Sequence, residues 1–154
     1  FSSPTRGFWC GGSEGPLQVA YIDFVTIASK GNAVDFGNLD ESRQSLNGMS
    51  NSVRAVITGG YHNSVFKKGL DSLIMASQGN AVRFADATTE LNVPTRAASE
   101  IRGVFGGGMN SPYANVLEYV TFASLGDVTD FGDLTVGRGA AGGCSDSHGG
   151  LGGY

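Results

Sequence analysis

The chain carries two histidines and two cysteines, and none of the four stands in a spacing that does metal or nucleophilic chemistry. His62 and His148 lie in unrelated contexts, without a His-x-Glu-x-x-His or Cys-x-x-Cys companion, so zinc ligation has no sequence support. Cys10 and Cys144 are too few for a disulfide framework and too distant in sequence for a metal motif, and are expected to stay unbridged within one chain. Ser145-Asp-Ser-His-Gly149 sets a hydroxyl near an imidazole, but the strand–turn–helix setting of a nucleophile elbow is missing. Gly106-Gly107-Gly108 is not a GxGxxG phosphate loop and precedes no helical pattern. Asn32, Asn80 and Asp127 offer one oxygen ligand per turn, too few for calcium, and are the residues such turns favour anyway.

The remaining charged candidates come in sets of three. Asp23, Asp71 and Glu118 each sit inside an apolar run, and each follows an arginine: Arg6, Arg54 and Arg102. One active site needs one constellation, not three. The reading is therefore structural: an ion pair or charge-assisted hydrogen bond braces each unit, with Arg54 expected to reach Asp71. No catalytic residue, cofactor or metal is assigned.

These triplets belong to a tandem repeat. Tyr21–Phe36 returns as Gly69–Phe84 and again as Val116–Phe131, and each copy is preceded by an Arg with a glycine pair five residues on: Gly11-Gly12, Gly59-Gly60, Gly107-Gly108. The three arginines stand 48 residues apart. Residues 1–154 thus read as one repeat domain, with units at about 5–53, 54–101 and 102–149 and the start of a fourth at 150–154.

Each unit divides at its glycines into four short strands rich in Val, Ile, Phe, Tyr and Thr. A small-residue strand (Ser45–Ser50, Thr95–Ser99, Gly139–Ser145) leads to the strand from Arg to the glycine pair. Next come Tyr21–Ala28, Leu70–Ala76 and Leu117–Ala123, then Ala33–Phe36, Ala81–Phe84 and Val128–Phe131. Ser-x-Gly-Asn or Ser-x-Gly-Asp between the last two predicts a tight hairpin turn. Ile22 and Phe24 alternate with Val25 and Ile27, so apolar residues point to both faces. With no helix in the repeat, other sheets must cover both sides. Stacked four-stranded blades do this, and the expected fold is an all-β propeller, three blades of a larger or oligomeric ring. Trp9, in the second strand beside Cys10, is expected in the core.

The glycine doublet closing an apolar strand, the acid beside an aromatic (Asp23-Phe24, Glu118-Tyr119) and the later Arg43 and Arg138 resemble the kelch repeat. Phe36, Phe84 and Phe131 stand where kelch units usually carry Trp, and Leu91 replaces the Arg in the middle copy. The phrase Thr121–Thr135 resembles repeat proteins of marine tailed bacteriophages. That resemblance implies a viral, virion-structural protein of a tail or tail fibre, located on the extracellular particle, with other virion proteins or copies of itself as partners and host attachment as a role.

Composition narrows the partners. A formal charge of −4 gives no broad footprint for nucleic acid, and no run reaches the roughly 20 apolar residues of a membrane helix. The copies differ most after the glycine pair, at Ser13–Val19, Tyr61–Lys68 and Met109–Asn115. All three loops leave the same strand end and would share one face. They bring Tyr61, His62, Asn63, Phe66, Lys67, Lys68, Asn110, Tyr113 and Asn115. Aromatic rings beside amides suit a glycan or protein receptor. The competing classes are a propeller enzyme of glycosidase or oxidase type with its site elsewhere, and a kelch protein-interaction adaptor.

Overall fold

A computed structural model of the protein describes residues 1–109 and 112–143, and these residues are all-β. Asn110, Cys144, His148, the segment Ser145–Gly149 and the expected fourth unit lie outside the described residues. The strands are β1 (Arg6–Cys10), β2 (Ser13–Glu14), β3 (Leu17–Gln18), β4 (Tyr21–Thr26), β5 (Val34–Asn38), β6 (Asn47–Ser50) and β7 (Arg54–Thr58). They continue as β8 (Tyr61–His62), β9 (Val65–Ile74), β10 (Val82–Leu91), β11 (Thr95–Ala98), β12 (Arg102–Gly106), β13 (Val116–Thr121) and β14 (Thr129–Asp133). The strands form three antiparallel meanders, in the orders β1-β4-β5, β6-β7-β9-β10 and β11-β12-β13-β14, so that β6 and β11 join the sheet of the following unit. β8 folds back onto β9, and β2 pairs with β3.

The register repeats with the sequence. Ser50 lies opposite Ala55 and Ala98 opposite Gly103, while an isolated bridge sets Ser2 opposite Gly7 at the same repeat position. All three sheets also break register at one place, between Ile22 and Asp23, Arg83 and Ala85, and Leu117 and Glu118. The extra residue on the last strand is Phe36, Phe84 or Phe131, so the recurrent phenylalanine rides on a β-bulge. The Ser-x-Gly-Asn segment is wider than a tight hairpin, since pairing stops at Phe24–Val34. In the second repeat that loop has another duty. Gly79 N–H donates to Phe36 O at 2.8 Å, Ala81 N–H to Asn38 O at 2.8 Å, and Asn80 Oδ1 accepts from Asn38 N–H at 3.0 Å. A Cβ on Gly37 would stand 2.4 Å from Gly79 O, so this seam requires a glycine.

The second sheet is buried on both faces. Ala55, Ile57, Leu73 and Met75 meet Phe8, Ile22, Phe24 and Phe36 of the first sheet. Met49, Val56 and Leu70 meet Phe105, Val120 and Phe122 of the third. Strand β7 therefore sends alternate apolar side chains to different cores, as the unbroken apolar run requires. Trp9 departs from the expectation of core packing. It lies on the far face of the first sheet and is exposed, because no described residue stacks there.

Polar groups cross both junctions, and their partners correct the expected Arg54–Asp71 pair. Arg54 Nη1 donates instead to Phe122 O and to Ala123 O (3.3 Å) on the third sheet. Arg6 Nη1 does the same one repeat earlier, to Met75 O at 2.7 Å and Ala76 O at 3.1 Å. Arg6 and Arg102 also stand over the rings of Phe24 and Tyr119. Asp71 pairs with Arg43, from the segment linking the first two sheets. Arg43 Nη2 lies 2.7 Å from Asp71 Oδ2, Nη1 donates to Gly69 O at 3.2 Å, and both side chains are fully buried. Asp40 N–H adds a bond to Asp71 at 3.3 Å. Burial pushes the Asp71 carboxyl up and the Arg43 guanidinium down, each against the other's charge.

Arg43 Nε and Asp71 Oδ1 find no partner among the described residues, so the pair is only half satisfied. Removing one partner strands a buried charge, whereas replacing both by apolar groups does not. Arg43→Leu is therefore expected to lower the unfolding free energy by about 3–5 kcal/mol. Arg43→Leu with Asp71→Leu should recover most of that loss. Urea denaturation of the two singles and the double measures the cycle, and additive losses would contradict the pairing.

Candidate binding site

The loops start where the chain crosses itself. The first glycine of each pair has φ near 60°, and a Cβ there would fall 2.5 Å from Arg43 O, 2.6 Å from Leu91 O or 2.8 Å from Arg138 O. The second glycine donates its N–H to the same carbonyls, at 3.0, 2.8 and 3.0 Å. Each linking segment thus lies directly on a glycine pair. It then passes to the next unit, where Gln44 exchanges both main-chain bonds with Tyr61, and Met109 N–H donates to Asn92 O. Glycine pairs and linking segments alternate in one hydrogen-bonded row, and the three divergent loops project from that edge.

The second loop is a tight hairpin. Tyr61 pairs with Phe66 and His62 with Val65, around Asn63 and Ser64, both at positive φ. Two successive positive-φ residues match the right-handed twist of the flanking strands. The Tyr61 and Phe66 rings lie 5.6 Å apart at an interplanar angle of 49°. His62 is held at both nitrogens, Nδ1 3.0 Å from Ser42 Oγ and Nε2 2.7 Å from Asn63 Nδ2. These two contacts fix the imidazole ring in place. Lys67 Nζ reaches Glu41 Oε1 at 2.6 Å. Partial burial pushes the Glu41 carboxyl up, but the Lys67 hydrogen bond and charge, aided by His62 and Arg43, hold it below the ordinary glutamate range.

Of the residues singled out in the sequence, Tyr61, His62, Asn63, Phe66 and Lys67 form this one cluster. Lys68 points elsewhere, its Nζ 3.3 Å from Thr88 O. Tyr113 is exposed on the third loop, and Asn115 is partly buried with its carbonyl accepting from Leu134 N–H at 2.7 Å. No contact joins either to the Tyr61 cluster among the described residues. Glu41 and Ser42 were missed, although a signal existed. Asp40-Glu41-Ser42-Arg43 becomes Thr88-Thr89-Glu90-Leu91 and Thr135-Val136-Gly137-Arg138, so the linking segment diverges as much as the loops it supports.

The opposite edge is repetitive. Ser3, Arg6, Ser52 and Met75 line one shallow cleft between sheets, and Asn51, Arg54, Glu100 and Phe122 line its counterpart one repeat on. Such clefts come with each junction, whereas the Tyr61 cluster occurs once. Burial pushes the Cys10 thiol up to about 12, so it is protonated at neutral pH and is no nucleophile. No group of three metal-ligating side chains occurs among the described residues. No protein-family model matches this chain, and no curated protein is similar to it.

Glu41 ties the linking segment to the loop through a lowered carboxyl pKa. Such a group contributes stability above its unfolded value and loses it as pH falls through the folded one. Thermal melts of Glu41→Gln should therefore lie below wild type at neutral pH and converge with it in the acid range, below the ordinary glutamate titration. Parallel curves at all pH values would remove Glu41 from this role.

Proposed function

We propose that this chain is a set of kelch-like propeller blades serving as a non-enzymatic binding module of a phage virion, on its tail or tail fibre, with a host-surface glycan or receptor as its ligand. The observation that carries the reading is the Tyr61–Phe66 hairpin. It is a ring pair flanked by His62, Asn63 and Lys67, each held by a neighbour, on the edge where the copies diverge. Rings fixed before binding lose little freedom on binding, and the amide and ammonium groups beside them give direction to a hydroxylated ligand. The three meanders and the double-sided burial of the middle one support the blade reading. Recurrence of the charged candidates in all three copies, where one active site needs one constellation, supports a non-enzymatic one. Placement on a virion rests on the resemblance of Thr121–Thr135 to phage repeats.

The test is a glycan array followed by titration of whichever ligand is retained. Tyr61→Ala and Phe66→Ala should each weaken binding about thirtyfold, the loss of a central aromatic contact worth about 2 kcal/mol. Their combination with Tyr113→Ala should abolish binding while leaving the melting temperature near that of wild type. Binding that survives all three replacements would overturn the assignment, as would wild-type protein that retains no glycan and no host-cell surface.

A further inference from the structure

The two outward faces of the chain are the two halves of a junction that it already makes twice. The first sheet's outer face corresponds, one repeat earlier, to the face the second sheet buries against the first. Trp9 is 61% exposed where Ile57 is 0%, and Ile27 is 58% exposed where Met75 is 2%. Asp23 stands there half-buried at the position of Asp71. The third sheet's outer face corresponds to the other half. Phe131 is 53% exposed where Phe36 is 2%, and Arg138 is exposed where Arg43 is 0%. Arg102, the counterpart of the arginines that reach carbonyls of the following sheet, stands over Tyr119 of its own sheet with no hydrogen bond of its guanidinium among the described residues.

One face thus presents the acid and the other the arginine of the same buried pair, each with apolar neighbours of the kind the internal junctions use. We infer that a second copy of this chain docks head to tail, the Phe131–Arg138 face of one onto the Trp9–Asp23–Ile27 face of the other, with Arg138 taking Asp23 as Arg43 takes Asp71. The two faces differ, so the contact is heterologous, and such contacts form rings when the rotation closes. Two copies supply six sheets, within the four to eight of known propellers. This count rests on the propeller reading proposed above. The contact rests only on the correspondence of the faces.

Trp9 is the only tryptophan, so it reports the docking directly. Sedimentation velocity of the wild type should give a species of twice 15.9 kDa at high concentration. In step with it, Trp9 emission should shift to the blue and its quenching by iodide should fall. Arg138→Glu opposes Asp23, and Asp23→Lys opposes Arg138, so each single variant should associate more than about tenfold more weakly. Mixed together, the two variants pair opposite charges at both contacts and should recover association as a heterodimer. Both sites lie at or near the surface, and unchanged melting temperatures of the singles would show the fold intact. A wild type that stays monomeric with Trp9 accessible would overturn the inference, as would single variants that associate like wild type or a mixture that fails to recover. Open-ended polymers would uphold the contact and overturn closure at two copies, and with it the propeller reading.

Discussion

Burial of the middle sheet on both faces governs the rest of the structure. A repeat without helices has only other sheets with which to cover its apolar surface, and β7 shows the consequence residue by residue, with Ala55 and Ile57 turned to one core and Val56 to the other. Each fully buried aliphatic or aromatic side chain contributes about 1.5–3 kcal/mol, so the two junctions outweigh any single polar contact across them. Polar groups in such a junction must bring their partners with them. Arg6 and Arg54 do so by seeking carbonyls that the next sheet leaves free at its strand ends, a solution that works for any side chain at those positions.

The stacking also decides where variation is tolerated. The glycine pairs are fixed because a linking segment lies on them, with no room for a Cβ at the first position. Beyond the pair the loops return by main-chain bonds, Val19 N–H to Gly12 O at 3.0 Å and Lys67 N–H to Gly60 O at 2.9 Å, that do not depend on side chain, and there the copies part company. The hairpin at Tyr61 is rigid because its turn is tight and its side chains are tied to Glu41 and Ser42. A divergent loop on a repeated frame therefore acquires fixed chemistry from the linking segment, which is itself divergent.

Much of this was legible in the sequence. The 48-residue spacing, the antiparallel strands and the close approach at the glycine pairs follow from residue types and their recurrence. The partners of the recurrent charges did not follow. Arg54 and Asp71 each occur once per repeat and each lie in an apolar strand, but alternation on β7 turns Arg54 to the third sheet, whereas Asp71 on β9 faces the first. Spacing along the chain does not reveal which junction a residue enters. Trp9 was misplaced for the same reason, since its repeat position is a core position and its sheet is an outer one. The bulge at Phe36, Phe84 and Phe131 left only the phenylalanine itself as a trace, because an extra residue in one strand is invisible until the partner strand is in register.

Comparison of the two junctions separates the part of the polar contact that the fold requires from the part that distinguishes one junction from the other. At the second junction Leu91 occupies the place of Arg43 and is buried in the apolar core, yet Glu118 stays buried and accepts Thr88 N–H at 3.1 Å, the counterpart of the bond from Asp40 N–H to Asp71. The constant element is thus a carboxylate holding the start of the linking segment, which then runs on to the glycine pair. The second junction stacks without an arginine, so the buried pair is a feature of the first junction and not a requirement of the repeat. A buried arginine needs a carboxylate opposite it, as Asp71 stands opposite Arg43, whereas Leu91 carries no such requirement. The acid therefore serves the geometry of both junctions, and the arginine adds an ion pair at the first alone.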